Sequence, residues 1–553
     1  MNNVPKLKIG LLMDSFDVPY WIYKMIEKIQ DSTHSQISLI IMNQTEITKN
    51  NPILKVKNNR DYFLYKIYTR LENKTYHPDI DGFQIKNTAE LLENIEKISV
   101  MPKLTKYSDW INDDDVNTIR KYDLDVIIRL GFRILKGGIL NSAKCGIWSF
   151  HHADNNVNRG GPAGFWEVFQ QEPTTGSILQ ILNEDLDGGQ IIAKSYSTTD
   201  STFVKRNQNN YYMKSLSFLP RKLKELHEVG KDEFLKRVQA ENNDLIFYDR
   251  PLYGKPKNGQ FLKLGLINFR KLVNRKIRNW FYFDQWFLLF DIKDGISKSL
   301  WRYKKILPPK DRFWADPHVI AKDDKYFIFI EEYIYKKGKG CIALIEIDKQ
   351  GNYQYKGKIL EKSYHLSYPF VFEFNKNFYM IPESSSNKKI EIFKCIEFPN
   401  KWEFHGNLMS DIDAVDSTIL FHNNKWWLFT GIKENDGASN SDELFLFYSQ
   451  DPTSDQWIPH PQNPIISDVR RARPAGKIFS YQNKLYRPSQ NGSYHYGYGI
   501  NINQIKKITE FEYEEEVENE ILPKWDEQIT RIHTFTYVDG LSVIDGKIRR
   551  TKL

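Results

Sequence analysis

The sequence predicts two structural parts in one chain: a parallel, doubly wound α/β domain, then an all-β five-bladed propeller. Two patterns and one excess carry this expectation. In the first half, short continuous apolar runs alternate with segments that are apolar at helical spacing, as expected for strands buried on both faces of a parallel sheet. In the second half, pairs of short strands recur at steps of 52, 48, 57 and 60 residues, measured along Asp316, Tyr368, Asp416, Arg473 and His533. An interval of about 50 residues with several strands per unit indicates a propeller rather than a sandwich. The excess is aromatic, 14% of 553 residues, and much of it falls in those strands, where rings fill the space between blades.

Composition excludes several classes. Lys and Arg number 78 against 70 Asp and Glu, a net +8 too dilute for a nucleic-acid-binding face. With 41% hydrophobic and 27% charged residues, a large core is available and global disorder is not expected. The start, MNNVPKLKIGLLMD, has too short an apolar run before Asp14 for a signal peptide or spanning helix. Cys145, Cys341 and Cys395 lie far apart, without a CxxC or metal-ligand spacing. Reduced thiols, a cytoplasmic location and no metal are expected.

Along the first half, Lys8–Met13 reads as a strand, Tyr20–Ile29 as a helix, Ile37–Met42 as a second strand, Val116–Tyr122 as a helix and Asp125–Leu130 as a third strand. Ligands of such sheets sit beyond the C-terminal strand ends, which makes Gly131, Phe132 and Arg133 a candidate pocket wall. No GxGxxG or GxxxxGK[ST] follows the first strand, so a dinucleotide or P-loop site has little support. The densest chemistry runs from Gly146 to Ile192. It holds Ser149, His151 and His152 at a strand end, an Arg159-Gly160-Gly161-Pro162 turn, Thr175-Gly176, and the turn Asp185-Leu186-Asp187-Gly188-Gly189. A histidine near neutrality moves protons, and a carboxylate orients it or holds its cationic form.

These spaced elements resemble the formyltransferase family that uses 10-formyltetrahydrofolate, over about residues 6 to 230. The family motif is an Asn-x-His pair, an Arg-Gly-Pro-type turn and helix, Thr-Gly, and Leu-Asp-x-Gly. The resemblance implies a Rossmann-like formyltransferase domain in which His151 is the general base and Asp187 orients it. Ser149 stands where the family has Asn and would be a weakened oxyanion donor. Gly131, Phe132, Arg133 and Asp185 would flank the 10-formyltetrahydrofolate donor, and Arg159 would touch substrate. His152-Ala153-Asp154-Asn155 departs from the family loop.

Residues 204 to 245 look helical and close the first domain, set at 1–245. The Pro-, Gly- and Lys-rich YDRPLYGKPKNGQ opens a basic, aromatic linker, 246–283. Within it, Leu266–Phe283 is a basic helix candidate carrying Arg270, Lys271, Arg275, Lys276 and Arg278. It reads first as a solvated helix docked on the next domain and second as a peripheral contact with an anionic membrane.

From 284 to 553, the pairs ADPHVIA/KYFIFIEEY, SYPFVFEF/NFYMIPESS, VDSTILFH/KWWLFTGI, ARPAGKIFS/KLYRPSQN and HTFTYVDG/LSVIDGK supply first and second strands of five blades. The early WFLLFDI (286–292) is expected to pair with the last blade. A propeller gathers its innermost strands around one funnel. That places Asp316, His318, His365, Tyr368, Asp416, Arg471, Arg473 and His533 together, with Glu331, Glu332, Glu383, Arg487 and Gln490 at nearby strand ends. Carboxylates, arginines and aromatics around one cavity suit carbohydrate, and two spaced carboxylates suit glycosyl chemistry. Asp316, His365, Tyr368, Glu383, Asp416, Arg473 and Arg487 are the candidate substrate-binding residues.

This half resembles the N-terminal propeller domain of plant glucosamine inositolphosphorylceramide transferase and its bacterial relatives. The likeness rests on Phe313-Trp314-Ala315-Asp316-Pro317, Ile381-Pro382-Glu383-Ser384, Ala472-Arg473-Pro474-Ala475-Gly476 and Tyr486-Arg487-Pro488-Ser489-Gln490. Together the two resemblances imply a bacterial-type enzyme that formylates the amine of an amino sugar, nucleotide-linked or within a surface glycan, while the propeller binds carbohydrate. The alternatives are a glycoside hydrolase or glycosyl-transfer enzyme working through the propeller carboxylates, and a non-catalytic glycan-binding protein. No nucleic-acid partner is expected.

Overall fold

The computed structural model describes residues 5–45, 60–185, 188–244 and 247–552. The chain divides into two compact units, Met1–Asn268 with Asn435–Ala438, and Phe269–Glu434 with Ser439–Leu553. The segment read as a linker carries a 24-residue helix, Asn258–Phe281, and the division between units runs through it.

The first unit is built on a seven-stranded sheet. Its strand order is Gln190–Thr198, Thr174–Ile181, Ile147–His151, Val126–Arg129, Leu7–Met13, Ser35–Asn43, Lys97–Val100. The five strands from Ile147–His151 to Lys97–Val100 are parallel, whereas Thr174–Ile181 and Gln190–Thr198 form an antiparallel edge hairpin. The expected strands at 8–13, 37–42 and 125–130 lie in this parallel part. Their runs are apolar throughout because both faces are covered. Ile9, Leu11 and Met13 enter one core with the helices Tyr20–Gln30 and Phe218–Val229, while Leu12, Leu39 and Ile41 enter another beneath Asp113–Arg120. A pleat sends successive side chains to opposite faces.

The second unit is propeller-like, built from antiparallel sheets. Four follow one another as four-stranded meanders spanning 312–360, 367–410, 414–459 and 479–521. A fifth joins both ends of the unit: Tyr282–Ile292 pairs along its whole length with Leu541–Thr551. WFLLFDI thus lies beside the last strand, as the sequence suggested. In each sheet one hairpin turns on two residues of positive φ: Asp323-Asp324, Asn375-Lys376, Asn423-Asn424, Gln482-Asn483 and Asp539-Gly540. That is the primed turn whose twist matches a right-twisted hairpin, and Asn, Asp and Gly favour it. Between neighbouring sheets lie separate apolar cores. One sets Phe329 and Leu344 against Val371 and Met380, and another sets Phe479 and Tyr486 against Phe287 and Ile544. Rings dominate because each fills a wide wedge between splayed sheets, contributing about 1.5–3 kcal/mol per buried large apolar side chain.

Candidate functional site

A repeated irregularity builds the site. In three successive sheets the first strand loses register with its partner for two residues, between Ala315 and His318, Ser367 and Phe370, and Val415 and Thr418. Asp316, Tyr368 and Asp416 stand in those gaps with φ of 51°, 42° and 51°. Left-handed backbone at a non-glycine residue costs about 1–3 kcal/mol and persists where the surroundings over-determine it; a bulge re-aims its side chain. In the next sheet Gly476 has φ 127°, and a Cβ there would lie 2.0 Å from the Phe535 carbonyl oxygen.

These positions bring charges together. His533 Nε2 lies 2.9 Å from Asp316 Oδ1, and its Nδ1 lies 2.9 Å from Asp545 Oδ2. The Thr534 hydroxyl donates to Asp316 Oδ1 at 2.8 Å, and the Asp316 N–H donates to Asp545 Oδ2 at 3.1 Å. Asp545 also accepts from the backbone N–H groups of His533 and Thr534. Across the site, Arg473 Nε donates to Asp416 Oδ2 at 2.5 Å, and Arg473 Nη2 donates to Glu383 Oε2 at 3.3 Å. Gln490 adds a bond to Asp416 Oδ2 at 2.9 Å. Tyr496 covers both cations, 5.5 Å from the Arg473 guanidinium and 5.1 Å from the His533 ring.

Burial and charge split the acids into two kinds. Burial disfavours the Asp316 anion, but His533 outweighs it and holds the carboxyl at about 2. Burial likewise disfavours the His533 cation, while Asp545 and Asp316 raise it to about 10. Glu331 goes the other way: burial lifts it well above the usual carboxylate range, and the Asp316 charge adds to this. Burial and Asp416 do the same to Glu383. His365 supports Glu331. The Gly340 N–H donates to His365 Nδ1 at 2.9 Å, which leaves the ring proton on Nε2, 3.4 Å from Glu331 Oε1. A Cβ on Gly340 would come within 2.8 Å of both groups. Neighbouring acids whose environments push their titrations apart supply an acid and a base at one pH. The ligand atoms of Asp316, His533 and Asp545 lie within 4.8 Å of one another, close enough to share a metal ion.

The other expected members fall elsewhere. Tyr368 is wholly buried and its hydroxyl is engaged, accepting from the Gly476 N–H at 2.7 Å and bonded to Thr418 Oγ1 at 2.8 Å; it braces the centre. His318 packs edge-on against it, its titration pushed by burial down to about 3. Arg487 faces away from the cluster, buried in a two-fold bond to Glu515 at 2.7 Å and 2.7 Å. Glu332 is tied to Trp314, Arg312 and Tyr355. Asp545 and Tyr496 were not foreseen. The signal for Asp545 was its register: it stands beside Thr534 on the second strand of its hairpin, as Glu331 stands opposite Ala315 and Glu383 opposite Ser367.

In the first unit the expected residues are placed differently. Ser149 is buried, and its hydroxyl oxygen accepts from Arg129 Nε at 2.9 Å. His151 is half-buried, with Nε2 3.1 Å from the Asn158 carbonyl oxygen. Asp187 lies outside the described residues. Gly131 passes so close to Asp14 that a Cβ would meet its N at 2.6 Å, and the Phe132 N–H donates to Asp14 Oδ1. Arg133 is fastened to Asp109 through its N–H and Nε, both at 2.8 Å. Asp185 is an exposed turn residue whose N–H donates to Asn183 Oδ1. Arg159 lies over the Tyr248 ring at 4.6 Å and donates to the Asn155 carbonyl oxygen.

The family described as "Glucosamine inositolphosphorylceramide transferase 1, N-terminal" matches residues 307–530. Glucosamine inositolphosphorylceramide transferase 1 of Oryza sativa subsp. japonica is 32% identical over 206 residues, 37% of this chain. The matched stretch spans 27% of that relative's own length. Among solved structures, Zg3597, a family 117 glycoside hydrolase of Zobellia galactanivorans, is similar at 10% identity and a TM-score of 0.32, covering 48% of this chain and 90% of that one. Glycinamide ribonucleotide transformylase 1 from Symbiobacterium toebii is similar at 13% identity and a TM-score of 0.25, covering 46% and 93%. Likenesses of that size carry no weight for function.

The match to glucosamine inositolphosphorylceramide transferases corrects the functional expectation. Formyl transfer to an amino sugar, its 10-formyltetrahydrofolate donor and the bacterial surface-glycan setting are overturned by relatives named for transfer involving glucosamine and a sphingolipid, in plants.

Proposed function

We propose that the chain is a glycosyl-processing enzyme whose second unit closes as a five-bladed propeller around the carboxylate cluster and transfers or cleaves a sugar there, on a glycan or glycolipid. The supporting observation is the pairing of Asp316, held low in its titration by His533, with Glu331 in the same cluster, whose titration burial and Asp316 push upward. Glycosidic bonds break through an oxocarbenium-like transition state that needs a proton on the leaving oxygen and a carboxylate at the sugar or at an attacking hydroxyl. Glu331 is assigned the proton and Asp316 the carboxylate. Arg473 and Asp416 hold sugar hydroxyls, and Tyr496 offers a ring face. The substrate class is taken from the relatives named for glucosamine and inositolphosphorylceramide. The first unit, Rossmann-like in its parallel sheet, is assigned an accessory part, with the domain limits at 1–245 and 284–553.

The test is turnover of a panel of glucosamine-containing glycans and inositol glycolipids, together with aryl glycosides, by the full chain. Asp316→Asn and Glu331→Gln are expected to lower kcat about 100- to 10,000-fold each, the usual weight of a general acid or base. Binding of these ligands without any turnover, or turnover untouched by both substitutions, overturns the proposal.

A further inference from the structure

The helix Asn258–Phe281 has no buried residue over its 24 positions. At 100° per residue, Leu262, Leu266, Phe269, Val273, Ile277 and Trp280 fall within one narrow arc. All six are exposed, Phe269 at 65% and Trp280 at 79%. The opposite arc begins on protein: Phe261 and Leu264 pack against the cluster of Phe165, Trp166 and Phe169. The apolar stripe therefore faces outward along the whole helix. An exposed apolar stripe of this length marks an interaction surface, not a scatter of single residues.

Charge selects the occupant. The helix carries Lys263, Arg270, Lys271, Arg275, Lys276 and Arg278 and no Asp or Glu. Lys276 lies beside one edge of the stripe, and Arg270 and Lys263 lie beside the other. Cations bordering an apolar face, with an aromatic pair at one end, match the boundary between anionic headgroups and acyl chains. Among the described residues no helix is long and apolar enough to cross a membrane, so the fit is to lying in the surface rather than spanning. A neighbouring helix, Phe63–Thr75, joins this one through bonds from Leu64 N–H and to the Arg60 carbonyl oxygen, both made by the Asn258 side chain. It also exposes Phe63, Ile67 and Leu71 at one-turn intervals.

We infer that Asn258–Phe281 is an interfacial helix that seats the chain on an anionic lipid bilayer. The inference stands apart from the proposed glycosyl chemistry and needs no sugar to test. The full chain is sedimented with vesicles of phosphatidylcholine alone and of phosphatidylcholine containing about one-third phosphatidylserine, at low and high salt. Retention is expected on the anionic vesicles and is expected to weaken with salt. The triple variant Leu266→Ser, Phe269→Ser, Ile277→Ser and the charge variant Arg270→Glu, Lys276→Glu should each lose about tenfold or more in partitioning. Equal retention on neutral vesicles, unchanged binding by either variant, or a dimer in solution that the triple variant dissolves would overturn it.

Discussion

His533 lies with Nε2 2.9 Å from Asp316 Oδ1, and both residues are buried, at 2% and 5% exposure. A buried ion pair is costly to assemble but costlier to break, since removing one partner strands the other and costs about 3–5 kcal/mol. His533 titrates at about 10, above its ordinary 6.5. Its contribution to stability is therefore complete below 6.5 and is lost as pH rises toward 10. Asp316 titrates at about 2, below its ordinary 3.8, so its contribution is complete above 3.8 and lost as pH falls toward 2. The pair stabilises most between about pH 4 and 6.5. Urea unfolding across pH 6.5 to 10 should show falling stability in the parent chain. In His533→Gln that fall should flatten while overall stability drops by about 3–5 kcal/mol. Superimposable pH slopes would show that the pair is not the source.

Glu331 and Asp316 should leave separate marks on the pH profile of turnover. Glu331 is lifted well above the usual range, first by burial and then by Asp316, so loss of its proton sets the alkaline limb. Asp316 stays ionised down to about 2 and sets no limb near neutrality. Glu331→Gln should remove the alkaline limb along with about 100- to 10,000-fold of the rate. An aryl glycoside with an acidic leaving group needs less protonation and should recover much of that loss. Equal loss on activated and unactivated substrates would remove Glu331 from the acid role.

Tyr368 ties two sheets through its hydroxyl, which accepts from Gly476 and meets Thr418. Tyr368→Phe leaves a buried N–H without its acceptor, at a cost of about 1–3 kcal/mol. The expected result is reduced stability in urea, with KM for the glycan little changed because Tyr368 is wholly buried. A large rise in KM at unchanged stability would make Tyr368 a ligand contact instead.

The second unit was legible because its signals are local and repeated. Asp316, Tyr368 and Asp416 recur in the first strands of three successive sheets, His533 falls just before Phe535–Val538, and two-residue turns of mostly Asn, Asp and Gly mark the hairpins. Asp545 was hidden because its chemistry depends on pairing: nothing in LSVIDGK says that Asp545 comes to lie beside Thr534. In the first unit the continuous apolar runs gave the parallel strands. The fate of Ser149 was unreadable, because it rests on Arg129, twenty residues away in sequence and adjacent only once the two strands pair.

Arg487 shows how strand alternation decides membership of the site. It stands three positions from Gln490 on Lys484–Asn491, an odd separation that puts the two side chains on opposite faces of the sheet. Gln490 reaches Asp416, whereas Arg487 is sealed against Glu515, the two side chains 1% and 0% exposed. Arg487→Met alone should strand Glu515 and cost about 3–5 kcal/mol, while Arg487→Met with Glu515→Leu should recover most of that loss, as apolar replacements of buried pairs do. Glycan turnover in the double variant should match the parent chain. Arg473→Met should behave in the reverse sense. It removes the cation bonded to both Asp416 and Glu383, so turnover should fall at least about 100-fold even at temperatures where the variant remains folded. Measuring unfolding and turnover on the same three preparations separates the arginines. Loss of turnover in the Arg487/Glu515 double variant, or full turnover in Arg473→Met, would reverse the assignment.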